Sequence, residues 1–364
     1  MSLSYLDFIY SKRSDLQKSF PEVTTGNYLR FVDWAISVCE GRIKDTENNN
    51  KLLSQFLLEF KDFQKTKRNL IGISKVTELN KEQELKLEKN LVWVFGSARS
   101  GTTWLGSQLL SYKTLKMFEP KIALIVGEWQ QWVTKNGKKF DRQSEQVDYI
   151  FSNHFKSTWM FYLRKLILNR MYSQFPTFSQ KIVIKEPLGR GGSEIISKCL
   201  PSSKIVIIIR DGRDVIDSKI DAIRNENSWG VKIEGNKPLM PKQRLNFIKE
   251  NSNQWVNLMD DLRNTYDSHS KNLRLLIRYE DLQGHTVEEL EKIYEFLQIE
   301  IKKEELEKIV NKYSFENIPT KSKGKGKFTR FASPGMWKEN FNEEEKKLMK
   351  SIMKKSLMQL DYEL

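Results

Sequence analysis

Five consecutive β-branched residues, Ile205–Ile209 (IVIII), do most to narrow what this chain can fold into. A strand that is apolar on both faces has no side to give to water. It belongs in the middle of a parallel sheet, with helices packed over both faces. Three other short apolar runs repeat the theme: Leu91–Phe95, Ile182–Ile184 and Leu273–Ile277. Helical patterns separate them over 103–111, 144–173, 192–199, 214–226 and 241–267. Two more follow at Val287–Leu297 and Lys303–Lys312, and a last one starts near Asn342. This alternation predicts an α/β fold, a P-loop-like doubly wound parallel sheet flanked by helices.

Open α/β sheets bind ligands where strands end and helices begin. The first apolar run ends in Gly96-Ser97-Ala98-Arg99-Ser100-Gly101-Thr102-Thr103-Trp104. Small residues let the backbone approach an anion, and the N–H groups opening a helix point at it. Ser100, Thr102 and Thr103 add hydroxyl donors, and Arg99 adds a permanent cation with a planar fork. The segment is a phosphate cradle but not the nucleoside-triphosphate version, because Gly101 is followed by Thr102 where that motif needs lysine. The central run ends in Arg210-Asp211-Gly212-Arg213-Asp214-Val215-Ile216-Asp217-Ser218. Arg210 leaves the strand and Ser218 lies on the helix that follows, so the two can grip a second phosphate near the same sheet edge. An internal Arg/Asp ion-pair network is the structural alternative.

These two motifs, in this order and each following a strand, resemble the 5′-phosphosulfate loop and the 3′-phosphate motif of sulfotransferases that use 3′-phosphoadenosine-5′-phosphosulfate (PAPS). The resemblance spans roughly residues 91–340 and is closest in style to the carbohydrate and tyrosyl-protein branch. It implies PAPS as donor and PAP as product, with no metal. By the same resemblance Trp104 stacks on adenine. Tyr279, in Arg278-Tyr279-Glu280-Asp281-Leu282, approaches that base. Arg330, Gly335, Trp337 and Lys338 match a C-terminal loop that closes over the 3′-phosphate, although Phe331 and Ala332 depart from its usual Lys-Gly pair.

Sulfuryl transfer needs a base for the acceptor, cations around the moving group and a stabilised leaving phosphate. Glu119, in Met117-Phe118-Glu119-Pro120, is the expected base, and His154 is its rival. Cytosolic sulfotransferases use a histidine after a lysine on the second strand, but here Lys185-Glu186 is followed by Pro187. Lys185 is the expected catalytic cation at the bridging oxygen, and Arg99 assists at the 5′-phosphosulfate. A kinase-like enzyme on the same fold is the alternative reading. A third is a non-enzymatic binder of nucleic acid or acidic glycan.

That third reading comes from composition. Sixty-one Lys and Arg against 47 Asp and Glu leave a formal charge of +14, which fits anionic partners and equally fits plain solubility. Two cysteines, Cys39 and Cys199, without metal-ligand spacing, fit a reducing cytoplasm. No apolar run is long enough to span a bilayer, and the N-terminus lacks a signal-peptide core. Residues 1–88 read as a helical extension, with apolar stripes at Tyr28, Phe31, Val32, Ala35 and Val38 and again from Leu52 to Phe63. These stripes leave room for a homodimer. Residues 89–364 form the sulfotransferase domain. Within it, 121–181 is expected to be a helical acceptor-side insertion and 319–340 the loop over the 3′-phosphate. The acceptor, whether glycan, phenol, lipid or peptide, is not legible.

Overall fold

The computed structural model describes residues 78–364 apart from 110, 129–131, 136–137, 187–191, 319, 321–322 and 330–332. The N-terminal apolar stripes and Arg330 therefore lie outside the described residues. Among the described residues there are seven strands: β1 (Leu91–Gly96), β2 (Thr114–Phe118), β3 (Trp132–Lys135), β4 (Lys138–Arg142), β5 (Lys181–Lys185), β6 (Lys204–Ile209) and β7 (Arg274–Arg278). The helices in the first half are α1 (Lys81–Glu88), α2 (Thr102–Leu109), α3 (Ile122–Glu128), α4 (Lys156–Gln174), α5 (Gly192–Cys199) and α6 (Gly212–Ala222). In the second half they are α7 (Trp229–Lys232), α8 (Arg244–Ser268), α9 (Tyr279–Gly284), α10 (Thr286–Leu297), α11 (Lys303–Lys312), α12 (Trp337–Asn340) and α13 (Glu343–Gln359).

Five strands form one parallel sheet in the order β2-β5-β1-β6-β7. Alternation along the central strands divides their side chains between two cores. Trp93, Phe95, Ile205, Ile207 and Ile209 face a cluster built by α4, α5, α6, α8 and α13. Val92, Val94, Val206 and Ile208 face a second cluster built by α2, α9, α10 and α11. Every residue of β1 and β6 is buried, as a strand covered on both faces must be. After β1 the chain turns to α2 on one face. After β6 it turns to α6 on the other. The neighbouring strands β1 and β6 thus send their connections apart, which opens a crevice at their carboxyl ends.

Two local expectations change. The edge strand β2 is absent from the sequence reading, because only Met117 of its five residues is buried and Lys116 interrupts the apolar pattern. The helix expected over 144–173 starts at Lys156. Upstream, turns and two short 3-10 segments occupy the chain, and the Ser152 hydroxyl caps the second by accepting from His154 N. The insertion 121–181 also carries the antiparallel hairpin β3–β4, so it is not purely helical.

Candidate active site

Between β1 and α2 the cradle depends on left-handed backbone at Arg99 (φ 74°) and Gly101 (φ 83°). A Cβ on Gly101 would stand 2.6 Å from Cδ2 of Tyr279, so the ring can lie against this turn only because the residue is glycine. Ser100 is fully buried and shares a hydrogen bond with the Ser97 hydroxyl. Thr102, Thr103 and Trp104 open α2. Indole Nε1 of Trp104 donates to the Tyr313 carbonyl at 2.9 Å, and its ring meets Tyr279 edge-on at 6.1 Å.

The second motif lies alongside. Register pairs Ile209 with Arg278, so Arg210 and Tyr279 leave the sheet together. The Arg210 guanidinium lies 4.3 Å over the Tyr279 ring, and its Nη1 donates to the Arg99 carbonyl at 3.0 Å. Arg210 is 9% exposed, and its buried Nε has no hydrogen-bond partner among the described residues. Arg99 comes from the first motif yet reaches the second. Its Nε donates to Ser218 Oγ at 3.0 Å and its Nη2 to the Phe328 carbonyl at 2.8 Å. Its guanidinium packs against the rings of Trp229 and Phe328, 5.1 and 5.0 Å from their centroids, and the two rings meet each other edge-on at 5.0 Å. Burial, and secondly the charge of Arg210, pushes the Arg99 guanidinium down to about 10.

Both motifs line one cavity of about 470 Å³, walled also by Tyr313, Phe315, Phe328 and Thr286. The sequence reading assigned Arg99 to the 5′ side only, whereas the guanidinium bridges both motifs. It also missed the aromatic wall from Tyr313, Phe315 and Phe328, and Trp229 packed behind it on Arg99, for which no spacing rule gives a signal.

Helix α6 carries an acidic row on its inner side. Asp214 accepts from Gly335 N at 2.7 Å and from Trp337 N at 3.2 Å. Asp217 accepts from Asn340 Nδ2 at 3.0 Å, and Asp221 from Gly326 N at 2.8 Å. All three are buried. Together they fasten the segments around Gly326 and Gly335 to the helix that bears Ser218. Lys323 of the Lys/Gly run donates to the carbonyls of Phe315 and Glu316, so this part of the run is docked. Lys338, matched by sequence to a 3′-phosphate contact, does not line the cavity. Its ammonium lies beside the Trp337 ring and 4.0 Å from the Glu363 carboxylate.

At the other end of the sheet, register pairs Phe118 with Lys185, which places Glu119 and Glu186 side by side past the strand ends. The Lys185 ammonium is paired with the Glu119 carboxylate and lies 5.1 Å over the Phe118 ring. Lys185 is 3% exposed, but the Glu119 side chain is 47% exposed and open to solvent. Glu119 (φ 49°) and Lys121 (φ 62°) both hold left-handed backbone. Such strain costs on the order of 1–3 kcal/mol per residue and persists only where neighbours enforce it. Here Glu119 N donates to the Lys185 carbonyl at 2.8 Å, and Ile122 N to Glu186 Oε2 at 3.0 Å. Burial raises the Glu186 carboxyl to about 7 against the backbone donors that oppose it. His154 stands on an exposed turn with Nδ1 3.1 Å from the Ser152 hydroxyl. Among the described residues, no three His, Cys, Asp or Glu gather as a metal site.

Fold and site together define a phosphate-handling α/β protein with a cradle after β1 and a second cationic site after β6. The family model described as "Sulfotransferase family" matches residues 92–303, and the chain belongs to that family. A flavonol sulfotransferase-like protein of Flaveria bidentis is 22% identical over 320 residues, covering 83% of this chain and 91% of its own. Mouse sulfotransferase SULT7A1, solved in complex with PAP, is 15% identical with a TM-score of 0.46, over 76% of this chain and 91% of that one. Sulfotransferase STF9 of Mycobacterium avium is 13% identical with a TM-score of 0.45, over 76% and 78%. No helix among the described residues is long and apolar enough to cross a membrane.

Proposed function

We propose that this protein transfers a sulfuryl group from PAPS to a hydroxyl or amine of an acceptor, with PAP as product. The observation that carries this reading is the single cavity into which both anion motifs open, bridged by Arg99. Its volume lies within the range of small-ligand sites. Its polar groups fit an adenine nucleotide with anionic groups at two places. Ser100, Gly101, Thr102 and Thr103 would hold the 5′ side. Arg210 and Ser218 would hold the 3′-phosphate, and the buried unpaired Nε of Arg210 is a donor in want of an acceptor. Trp104 and Tyr279 would face the base. Arg330 and Lys338 remain proposed contacts of the loop over the 3′-phosphate. When bound, the donor would supply a sulfuryl group activated as a mixed phosphate–sulfate anhydride, with the 5′-phosphate of PAP as leaving group.

Glu119 is the proposed base. It is exposed enough to meet an acceptor and is held beside the one buried ammonium at that strand end. The same pairing lets Lys185 neutralise charge as the acceptor proton leaves. The strained turn around Glu119 supports this assignment, since strain of this kind gathers at functional sites. Glu119 in place of the usual histidine favours the carbohydrate and tyrosyl-protein style of mechanism. His154 is set aside because its ring is engaged with Ser152. We place the reaction in the cytoplasm, where the buried thiol of Cys199 would stay reduced.

Two measurements test this. PAP should raise the melting temperature strongly and ATP with Mg²⁺ weakly; the reverse order would favour a kinase-like enzyme. A screen of glycans, phenols, lipids and peptides with labelled PAPS should find an acceptor. With that acceptor, Glu119→Gln should abolish turnover and spare PAP binding. Near-wild-type rates would hand the base role to another group.

A further inference from the structure

Three polar residues around the second motif, Glu280, Asp211 and Arg213, form a closed ring with the segment Asp361–Glu363. The Tyr362 hydroxyl donates to Glu280 Oε2 at 2.9 Å. Glu280 Oε1 accepts from Asp211 N at 3.0 Å. The Asp211 carboxylate takes a forked pair of bonds from the Arg213 guanidinium, at 3.0 Å from Nε and 2.7 Å from Nη2. Arg213 Nη2 then donates to the Glu363 carbonyl at 2.5 Å, closing the circuit. A second strut runs outside it: Arg278 lies 4.3 Å over the Tyr362 ring and donates to the Asp361 carbonyl at 3.1 Å. Tyr362 is 8% exposed, and Asp211 and Arg213 are buried. Burial and the Glu280 carboxylate both raise the Tyr362 phenol above its ordinary value, so it stays a donor.

The ring has a particular address. Asp211 follows Arg210, and Glu280 follows Tyr279. The bond between Asp211 N and Glu280 therefore sits directly behind the stacked Arg210–Tyr279 pair that walls the cavity. None of the ring members Asp211, Arg213, Glu280, Tyr362 or Glu363 lines the cavity itself. We propose that Tyr362 is a positioning residue for the nucleotide site: through Glu280 it fixes the ends of β6 and β7 against each other and so sets Arg210 over Tyr279. The inference rests on the nucleotide reading given above. Helix α13, which leads into this segment, packs on α8 and α6. The segment thus ties the cavity's rear wall to the main core.

The test compares two nucleotides on Tyr362→Phe by calorimetric titration. PAP needs the Arg210 contact. Adenosine 5′-monophosphate lacks the 3′-phosphate and does not. Loss of one buried hydrogen bond should weaken PAP about fivefold and adenosine 5′-monophosphate less than twofold. A merely structural defect would weaken both alike, and equal losses, or no loss, overturn the proposal. Glu280→Gln supplies the second arm. The double variant should lose no more PAP affinity than the weaker-binding single variant, since both act through one path; losses that multiply overturn it too. Failure of the wild-type protein to bind PAP would remove the nucleotide reading and this proposal with it. Normal wild-type binding with an unaffected Tyr362→Phe would remove the proposal alone.

Discussion

Arg210→Met should leave the free protein about as stable as before while removing most of its affinity for PAP. The substitution keeps an apolar stem against Tyr279 and deletes the charge. The free protein loses one hydrogen bond to the Arg99 carbonyl, worth about 1 kcal/mol. It also loses a cation–π contact at 4.3 Å, worth on the order of 1–2 kcal/mol where water is excluded. Against this stands a relief. Arg210 is buried, its Nε is unpaired among the described residues, and its charge helps push Arg99 down to about 10. A displacement of that size corresponds to roughly 3 kcal/mol of unfavourable burial and repulsion at Arg99, with burial the larger part. Removing Arg210 recovers only the repulsive share. The relief therefore offsets about half of the loss, and the free energy of unfolding in urea should fall by only about 1 kcal/mol. Bound PAP changes the balance, because its 3′-phosphate is the anion that two crowded arginines lack. Charge-assisted hydrogen bonds are worth about 1.5–3 kcal/mol each. Calorimetric titration should then show PAP weakened at least 30-fold, with adenosine 5′-monophosphate little changed. The reasoning is refuted if unfolding costs more than about 2 kcal/mol while PAP affinity holds. That outcome would make Arg210 an internal counter-ion for Asp214, whose carboxyl its charge lowers.

Three other substitutions probe the rest of the site. Lys185→Met should hold or raise stability, since it removes a buried ammonium whose partner Glu119 is half exposed, while turnover falls at least 100-fold; a large stability loss would make the pair structural. Glu186→Gln should flatten the dependence of stability on pH. The folded carboxyl titrates near 7, above 4.5, so the wild-type protein is favoured below 4.5 and loses on the order of 1–3 kcal/mol as pH rises through 7. Glutamine has no such slope, and an unchanged slope in urea titrations from pH 5 to 8 would count against the assignment. Asp214→Ala frees Gly335 N and Trp337 N, so trypsin should cut the Lys323–Lys338 region several-fold faster, and an unchanged rate would mean the loop is held elsewhere.

The sheet was legible because its centre is extreme. Ile205–Ile209 and Leu91–Phe95 have no polar face, and only a doubly covered strand tolerates that. The edge was not legible. In β2, Thr114, Lys116 and Phe118 retain solvent contact, so the strand reads as loop. Site residues divide by how local their job is. The cradle and Arg210–Ser218 are encoded as contiguous motifs, since each is a backbone turn followed by a helix. Tyr313, Phe315 and Phe328 are cavity walls brought together by tertiary packing, and a single sequence carries no spacing for that. Asp214, Asp217 and Asp221 had a signal that went unused: carboxylates at helical spacing on the face that also carries Ser218. Tyr362 and Glu363 had none.

Carboxylates beside an anion site need a reason to be there. Asp214 and Asp217 line the same cavity as Arg99, Arg210 and Ser218, where bare negative charge would repel a phosphate. The hydrogen bonds resolve the conflict. Gly335 N and Trp337 N face Asp214, and Asn340 Nδ2 faces Asp217, so each carboxylate already has donors from the loop. Desolvation raises Asp214, and those same N–H groups oppose the rise. Fastening the loop and screening the carboxylates are thus one interaction. Helix α6 can then offer the Ser218 hydroxyl toward the crevice and its anions toward the protein's own backbone. On the proposed nucleotide reading, such a site would couple loop closure to anion affinity: lifting the loop would uncover two negative charges next to the 3′-phosphate. Release of product and opening of the loop should accordingly occur together, and the acidic row on α6 is what joins them.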